Sequence, residues 1–101
     1  MDFPSLSLTI LASAAFEMDA AFAWYEQRQA GLGTEFLRAC DAAFSSVARI
    51  PRAYREVRPG VRRALLRRFP YMVFFVADSE RAVIIGVVHV RQSPDVWPFA
   101  S

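Results

Sequence analysis

The chain contains no lysine, a single cysteine and a single histidine. One thiol excludes an internal disulfide, and Cys40 with His89 cannot by themselves assemble a thiolate or imidazole cage for zinc or iron, so neither metal nor cofactor is expected. Cys40 falls inside a helical pattern and reads as a small buried hydrophobe. Long apolar stretches are also missing: the most apolar run, Ala82 to Val90, is far short of a membrane span, and the first residues, with Asp2, lack a basic leader. A cytoplasmic protein with no membrane partner is the expectation. Low-complexity tracts and internal repeats are absent too, and a chain of 101 residues that is 54% hydrophobic is expected to form one domain, residues 1–101.

What the chain does have is arginine, unevenly placed. Between Arg49 and Arg68 lie eight arginines against Glu56 alone, a segment charge of +7, while the remainder carries four arginines against nine acids. The overall charge of +2 hides this asymmetry. Such a segment either meets phosphates or an acidic partner through a local field, or forms a solvated face that discourages edge-to-edge pairing. The missing lysines and the abundance of alanine look like a coding bias, so the clustering is informative and the choice of arginine is not.

Leu6 to Ala12 alternates and then turns apolar, which predicts a first strand, and Ser13 is placed to cap a helix. From Ala14, apolar residues at Met18, Ala21 and Tyr25 recur at helical spacing to about Ala30. Phe16, Phe22 and Trp24 lie off that stripe, and a helix apolar on more than one side is either deeply buried or covered by another chain. Gly31-Leu32-Gly33 interrupts the pattern, which resumes through Leu32, Phe36, Ala39, Ala43, Val47 and Ile50 until Pro51 ends it. Strands are predicted at Ala53–Val57, Val61–Leu66, Tyr71–Ala77 and Ala82–Arg91, with a turn at Pro59-Gly60 and a hairpin loop over Asp78 to Arg81. The order β-α-α-β-β-β-β describes an α+β fold, an antiparallel sheet covered by an N-terminal αα-hairpin.

Several pieces in this order carry a resemblance. They are Trp24-Tyr25-Glu26, the Gly31-Leu32-Gly33 joint followed by Phe36, Ile50-Pro51, Val61-Arg62-Arg63 with Leu66, Arg68-Phe69-Pro70-Tyr71, and Val88-His89 with Arg91 and Trp97. Together they resemble the RelE/ParE superfamily of type II toxin-antitoxin toxins, a group once labelled plasmid stabilisation proteins. The resemblance implies a cognate antitoxin as partner, and the family divides by target: some members are ribosome-dependent messenger RNA endonucleases, while the ParE type binds DNA gyrase and blocks it. Fold alone does not choose between them.

A ribonuclease of this family needs cationic groups for a phosphate transition state and a proton-transfer group near the C-terminus. Aligned on Tyr71, those positions read Arg63, Leu65, Met72, Arg91 and Trp97. Leucine and methionine cannot stabilise a phosphate, and tryptophan neither takes nor gives a proton at working pH, which depletes the site. The expectation is therefore a gyrase-binding inhibitor without catalytic residues. Arg62, Arg63, Arg67, Arg68, Arg91 and Trp97 are the candidates for contacting the target, and Phe16, Phe22 and Trp24 for contacting the antitoxin. The alternatives are an endoribonuclease acting on ribosome-bound messenger RNA through Arg63, His89 and Arg91, or a nontoxic remnant that only binds antitoxin. Alternation does not say which face of Val61–Leu66 is exposed, and Trp97 either packs on the domain edge or meets the target.

Overall fold

The computed structural model describes residues 5–99. Strand β1 (Ser7–Ile10) leads directly into helix α1 (Ala12–Arg28), a short joint leads to α2 (Leu32–Arg49), and a 3₁₀ turn at Pro51–Ala53 precedes β2 (Arg55–Arg58), β3 (Val61–Leu65), β4 (Tyr71–Ala77) and β5 (Arg81–His89). The sheet runs β1-β5-β4-β3-β2. It has the expected α+β layout, with one qualification: β1 pairs with β5 in parallel, Ser7 opposite Arg81 through Ile10 opposite Ile84, and only the other neighbours are antiparallel.

Boundaries differ from the expectation where one residue serves two elements. Leu11 donates its N–H to Ile84 O at 3.0 Å as the last rung of the β1–β5 ladder, and its carbonyl accepts from Ala15 at 2.9 Å as the first helical bond. The strand consequently stops at Ile10 and the helix starts at Ala12, with Leu11 rather than Ser13 at the cap position. At the joint, Gly31 takes φ 90°, and the Glu26 carboxylate accepts the N–H groups of both Gly31 and Gly33 at 2.9 Å. A side chain from the end of one helix thus satisfies donors that the start of the next leaves open. Pro51 does end α2, but it opens a 3₁₀ turn, so the following strand begins at Arg55 and not at Ala53.

Two apolar layers sandwich the sheet. Beneath the helices, Ala14, Ala21, Phe36, Cys40, Phe44 and Val47 meet Ala64, Val73, Phe75, Ile84 and Val87. On the opposite face Val61, Met72, Phe74 and Val88 are covered by Trp97 and Phe99 from the C-terminal segment. Double coverage explains why Tyr71–Ala77 reads as a continuous apolar run without alternation. The segment crosses this face closely: a Cβ on Gly86 would lie 2.8 Å from Pro98 Cγ. Its end is held by Arg58, whose Nη1 donates to Phe99 O at 2.7 Å and whose guanidinium lies 5.1 Å from the Phe99 ring centre.

Candidate functional site

Helix α1 carries two apolar stripes. Ala14, Met18, Ala21 and Tyr25 join the core, while Phe16, Ala20 and Trp24, spaced by four, form a second row along the outside. Phe16 is 73% exposed and Trp24 50% exposed. Phe22 is placed elsewhere, its ring against Gly33 at the joint between the helices, where a Cβ on the glycine would approach it to 2.7 Å. The three aromatic residues that stand off the core stripe therefore split into an outward pair and one spacer of the hairpin.

Beside the outward row runs a groove of about 610 Å³ between α1 and the ends of β4 and β5, with Phe16, Glu17, Trp24, Tyr71, His89 and Gln92 among its walls. Its floor exists because β1 covers β5 only over Arg81–Ile84. Beyond that point two edge amides are met by side chains: Glu17 Oε1 accepts from Val87 N at 2.9 Å, and Gln92 Oε1 from His89 N at 3.0 Å. Burial pushes the Glu17 carboxyl above its ordinary range, and the Val87 hydrogen bond offsets only part of that rise. Desolvation also raises the Tyr25 and Tyr71 hydroxyls, with Tyr25 and Cys40 adding to the effect at Tyr71. Around Trp24, the Arg28 guanidinium stacks 4.0 Å from the indole centre and Tyr25 meets it edge-on at 5.1 Å. These contacts hold an exposed indole in one orientation, which lowers the entropy lost when a partner covers it.

His89 faces this groove. It stands opposite Tyr71, ring centres 5.1 Å apart, and its Nδ1 accepts the Arg91 N–H at 3.0 Å, so the neutral ring carries its proton on Nε2. Arg63 lies on the other side of the sheet, paired with Phe74 and with Nη1 4.0 Å from Met72 Sδ. The exposed Arg91 follows β5 in a turn. The structure thus separates Arg63 from His89 by the thickness of the sheet.

The face away from the helices, here the open face, holds Arg63, Leu65, Met72 and Trp97, four of the five positions compared above with a ribonuclease pattern. It is largely filled by aromatic packing: Trp97 sits 5.1 Å from Phe74 and 5.8 Å from Phe99 between ring centres. Trp97 Nε1 is buried without a hydrogen-bond partner among the described residues. Arg62 faces the helices, its side chain 29% exposed, donating to Tyr54 O at 2.7 Å with Glu56 at 3.6 Å. Arg67 and Arg68 are exposed in the β3–β4 loop. Arg68 adopts φ 71°, a left-handed conformation costly for a residue with a Cβ, and its guanidinium meets Glu35 at 3.2 Å.

Sequence reasoning missed Glu17 and Gln92. The signal for Glu17 was a carboxylate one residue from an apolar stripe, which has no meaning until β5 is known to pass beside it. Among the described residues, no group of three or more acidic, histidine or cysteine side chains is arranged to hold a metal ion, and no helix is long and apolar enough to cross a membrane.

No family model matches the chain, and no curated protein matches it. Solved structures do. A chain of the chromosomal ParDE TA system from P. aeruginosa superimposes with a TM-score of 0.75 at 19% identity, over 86% of this chain and 98% of that one. The two chains share a fold. The helical hairpin over a five-stranded sheet that the resemblance implied is thus present here, at an identity where only the fold carries across.

Proposed function

We propose that this chain is the toxin component of a type II toxin-antitoxin module, that a cognate antitoxin neutralises it by covering the α1 groove, and that it acts in the cytoplasm by binding DNA gyrase without chemistry of its own. The observation that carries the first part is the outward row of Phe16 and Trp24 beside an apolar groove, on a fold shared with a chain of a ParDE system. Exposed aromatic anchors flanked by a groove fit an amphipathic segment of a partner protein. Arg63 and His89 on opposite faces, with apolar packing at the positions of the ribonuclease pattern, favour binding over cleavage. Gyrase as the target follows from the ParE resemblance.

Induction of the chain with and without a co-expressed candidate antitoxin tests the module, with growth arrest expected only without it. Purified protein should inhibit gyrase supercoiling and leave messenger RNA on translating ribosomes intact. Cleavage abolished by His89→Gln or Arg91→Ala would replace this reading with the endoribonuclease, and harmless induction together with tight antitoxin binding would leave a nontoxic remnant. Replacing Phe16 and Trp24 by aspartate should remove antitoxin binding. Retention of full binding by that variant would move the antitoxin off the α1 groove.

A further inference from the structure

The fold sorts the arginines of the Arg49–Arg68 segment into different tasks. Arg58 holds the C-terminal segment, Arg63 lies on the open face, and Arg68 meets Glu35. Arg49, Arg52, Arg62 and Arg67 instead come to one side, where the C-terminal half of α2 meets the 3₁₀ turn and β3. Two hollows lie there. The larger, of about 710 Å³, is walled by Arg49, Arg52 and Arg62. The smaller, of about 310 Å³, is walled by Arg49 and Arg67. Arg49 is a wall of both, so the two hollows adjoin and are taken together as one trough.

Two carboxylates lie nearby. Asp78 borders the larger hollow as an ionised group, its Oδ1 accepting the N–H groups of Glu80 and Arg81 at 2.8 and 2.9 Å with its pKa held below the ordinary value, and it offsets one of the positive charges there. Glu56 faces Arg62 and also accepts the Gly60 N–H at 3.0 Å. Among the described residues Arg49, Arg52 and Arg67 have no carboxylate at ion-pair distance. Three unpaired guanidinium groups and a fourth only partly neutralised form a row of forked donors of a kind that suits phosphate oxygens.

We propose that this trough binds the phosphate backbone of a nucleic-acid duplex without reading its sequence. The inference does not rest on the toxin reading. Base recognition of a single strand calls for free aromatic faces, and the trough offers none: Tyr54 packs edge-on against Phe75 at 5.7 Å and spends its hydroxyl on Ser46. A protein partner would be expected to centre on aromatic anchors, which this molecule exposes along α1 and not here. Spread positive charge without such an anchor matches backbone contact, in which affinity comes from counterion release.

The test is fluorescence anisotropy of a labelled DNA duplex of about 20 base pairs with the purified full chain, over a salt series from about 50 to 200 mM. Binding should be equal for two unrelated sequences, and the slope of log K against log salt should be about −3 for three to four phosphate contacts. Arg49→Ala, Arg52→Ala and Arg67→Ala should each weaken binding about threefold to tenfold and make the slope shallower by about one. Arg55→Ala, an exposed position paired with Arg63 on the opposite face of the sheet, should change neither. Thermal melts that match wild type show that the exposed substitutions leave the fold intact. No binding at the lowest salt, or a slope indifferent to all three variants, overturns the proposal. So does a poly-glutamate peptide that binds more tightly than the duplex and is lost in the same variants, an outcome that assigns the trough to an acidic protein.

Discussion

The Glu17 carboxylate accepts the backbone N–H of Val87 across 70 residues of chain, fastening the middle of α1 to the part of β5 that β1 leaves uncovered. A charged group spent on a neutral donor at a partly buried site is an imperfect match. Burial raises its folded-state pKa, so the folded chain binds a proton more tightly than the unfolded chain does. The contribution of Glu17 to stability should then be greatest below the ordinary carboxylate range and fall as pH rises from that range through the raised value. Glu17→Gln keeps an oxygen acceptor and carries no charge. It should flatten that fall and leave the variant at least as stable as wild type at neutral pH. Glu17→Ala should cost about 1–3 kcal/mol, because the Val87 amide loses its partner. Urea unfolding across the acid range measures both, and an alanine variant as stable as wild type would show that the bond contributes nothing.

Cys40 sits on the buried face of α2 with its thiol pushed up to about 12, by burial first and by the Asp41 charge second. The native protein should be inert to an aromatic disulfide reagent near about pH 8 and react fully once denatured. Rapid labelling of the folded chain would place the cysteine outside the core.

Gly33→Ala should destabilise by about 1–3 kcal/mol, since the new methyl would meet both the Phe22 ring and the Phe22 carbonyl at 2.8 Å or less. Gly31 needs its glycine for a different reason: nothing lies within 4 Å of a Cβ there, and φ 90° is the obstacle. Gly31→Asn should therefore be tolerated better than Gly31→Val, whereas both substitutions at Gly33 should fail. Chemical denaturation of the five variants checks this.

Gly86→Ala should lift the C-terminal segment from the sheet, because Pro98 occupies the space the methyl needs. In a Trp24→Phe background the remaining indole, Trp97, should shift its emission to longer wavelength on this substitution. Unfolding of the layer beneath the helices should change less. An unshifted spectrum would mean that the segment yields without leaving the face.

Much of this architecture could be read in advance because the signals were local. The glycines of the joint, the stop at Pro51 and the apolar run from Tyr71 announce themselves within a few residues. What escaped depended on distant partners. Ser13 has the chemistry of a helix cap, but a ladder bond from Leu11 to Ile84 sets the start of α1 two residues before it is needed. The face of β3 was ambiguous because Arg62 and Arg63 are both charged. The structure resolves it through neighbours far along the chain, Tyr54 and Glu56 for one and Met72 and Phe74 for the other. The alternative endoribonuclease grouped His89 with Arg63, and only the pairing with Tyr71 places it on a different face.

The parallel pairing of β1 with β5 bears on the order in which the chain can be completed. Ser7 finds Arg81 only after nearly everything between them has been made. During synthesis the helical hairpin can form early from local contacts, yet its apolar underside has no finished sheet to rest on until the last strand emerges. The antiparallel strands β2 to β5 can zip together by short turns, leaving the slot beside β5 as the final gap that the first strand must return to fill. A substitution that weakens this closing step, at Leu11 or Ile84, should prolong the life of a nearly folded chain whose N-terminal strand is still at large. Its effect would be felt more in the yield of new protein than in the stability of the protein already made.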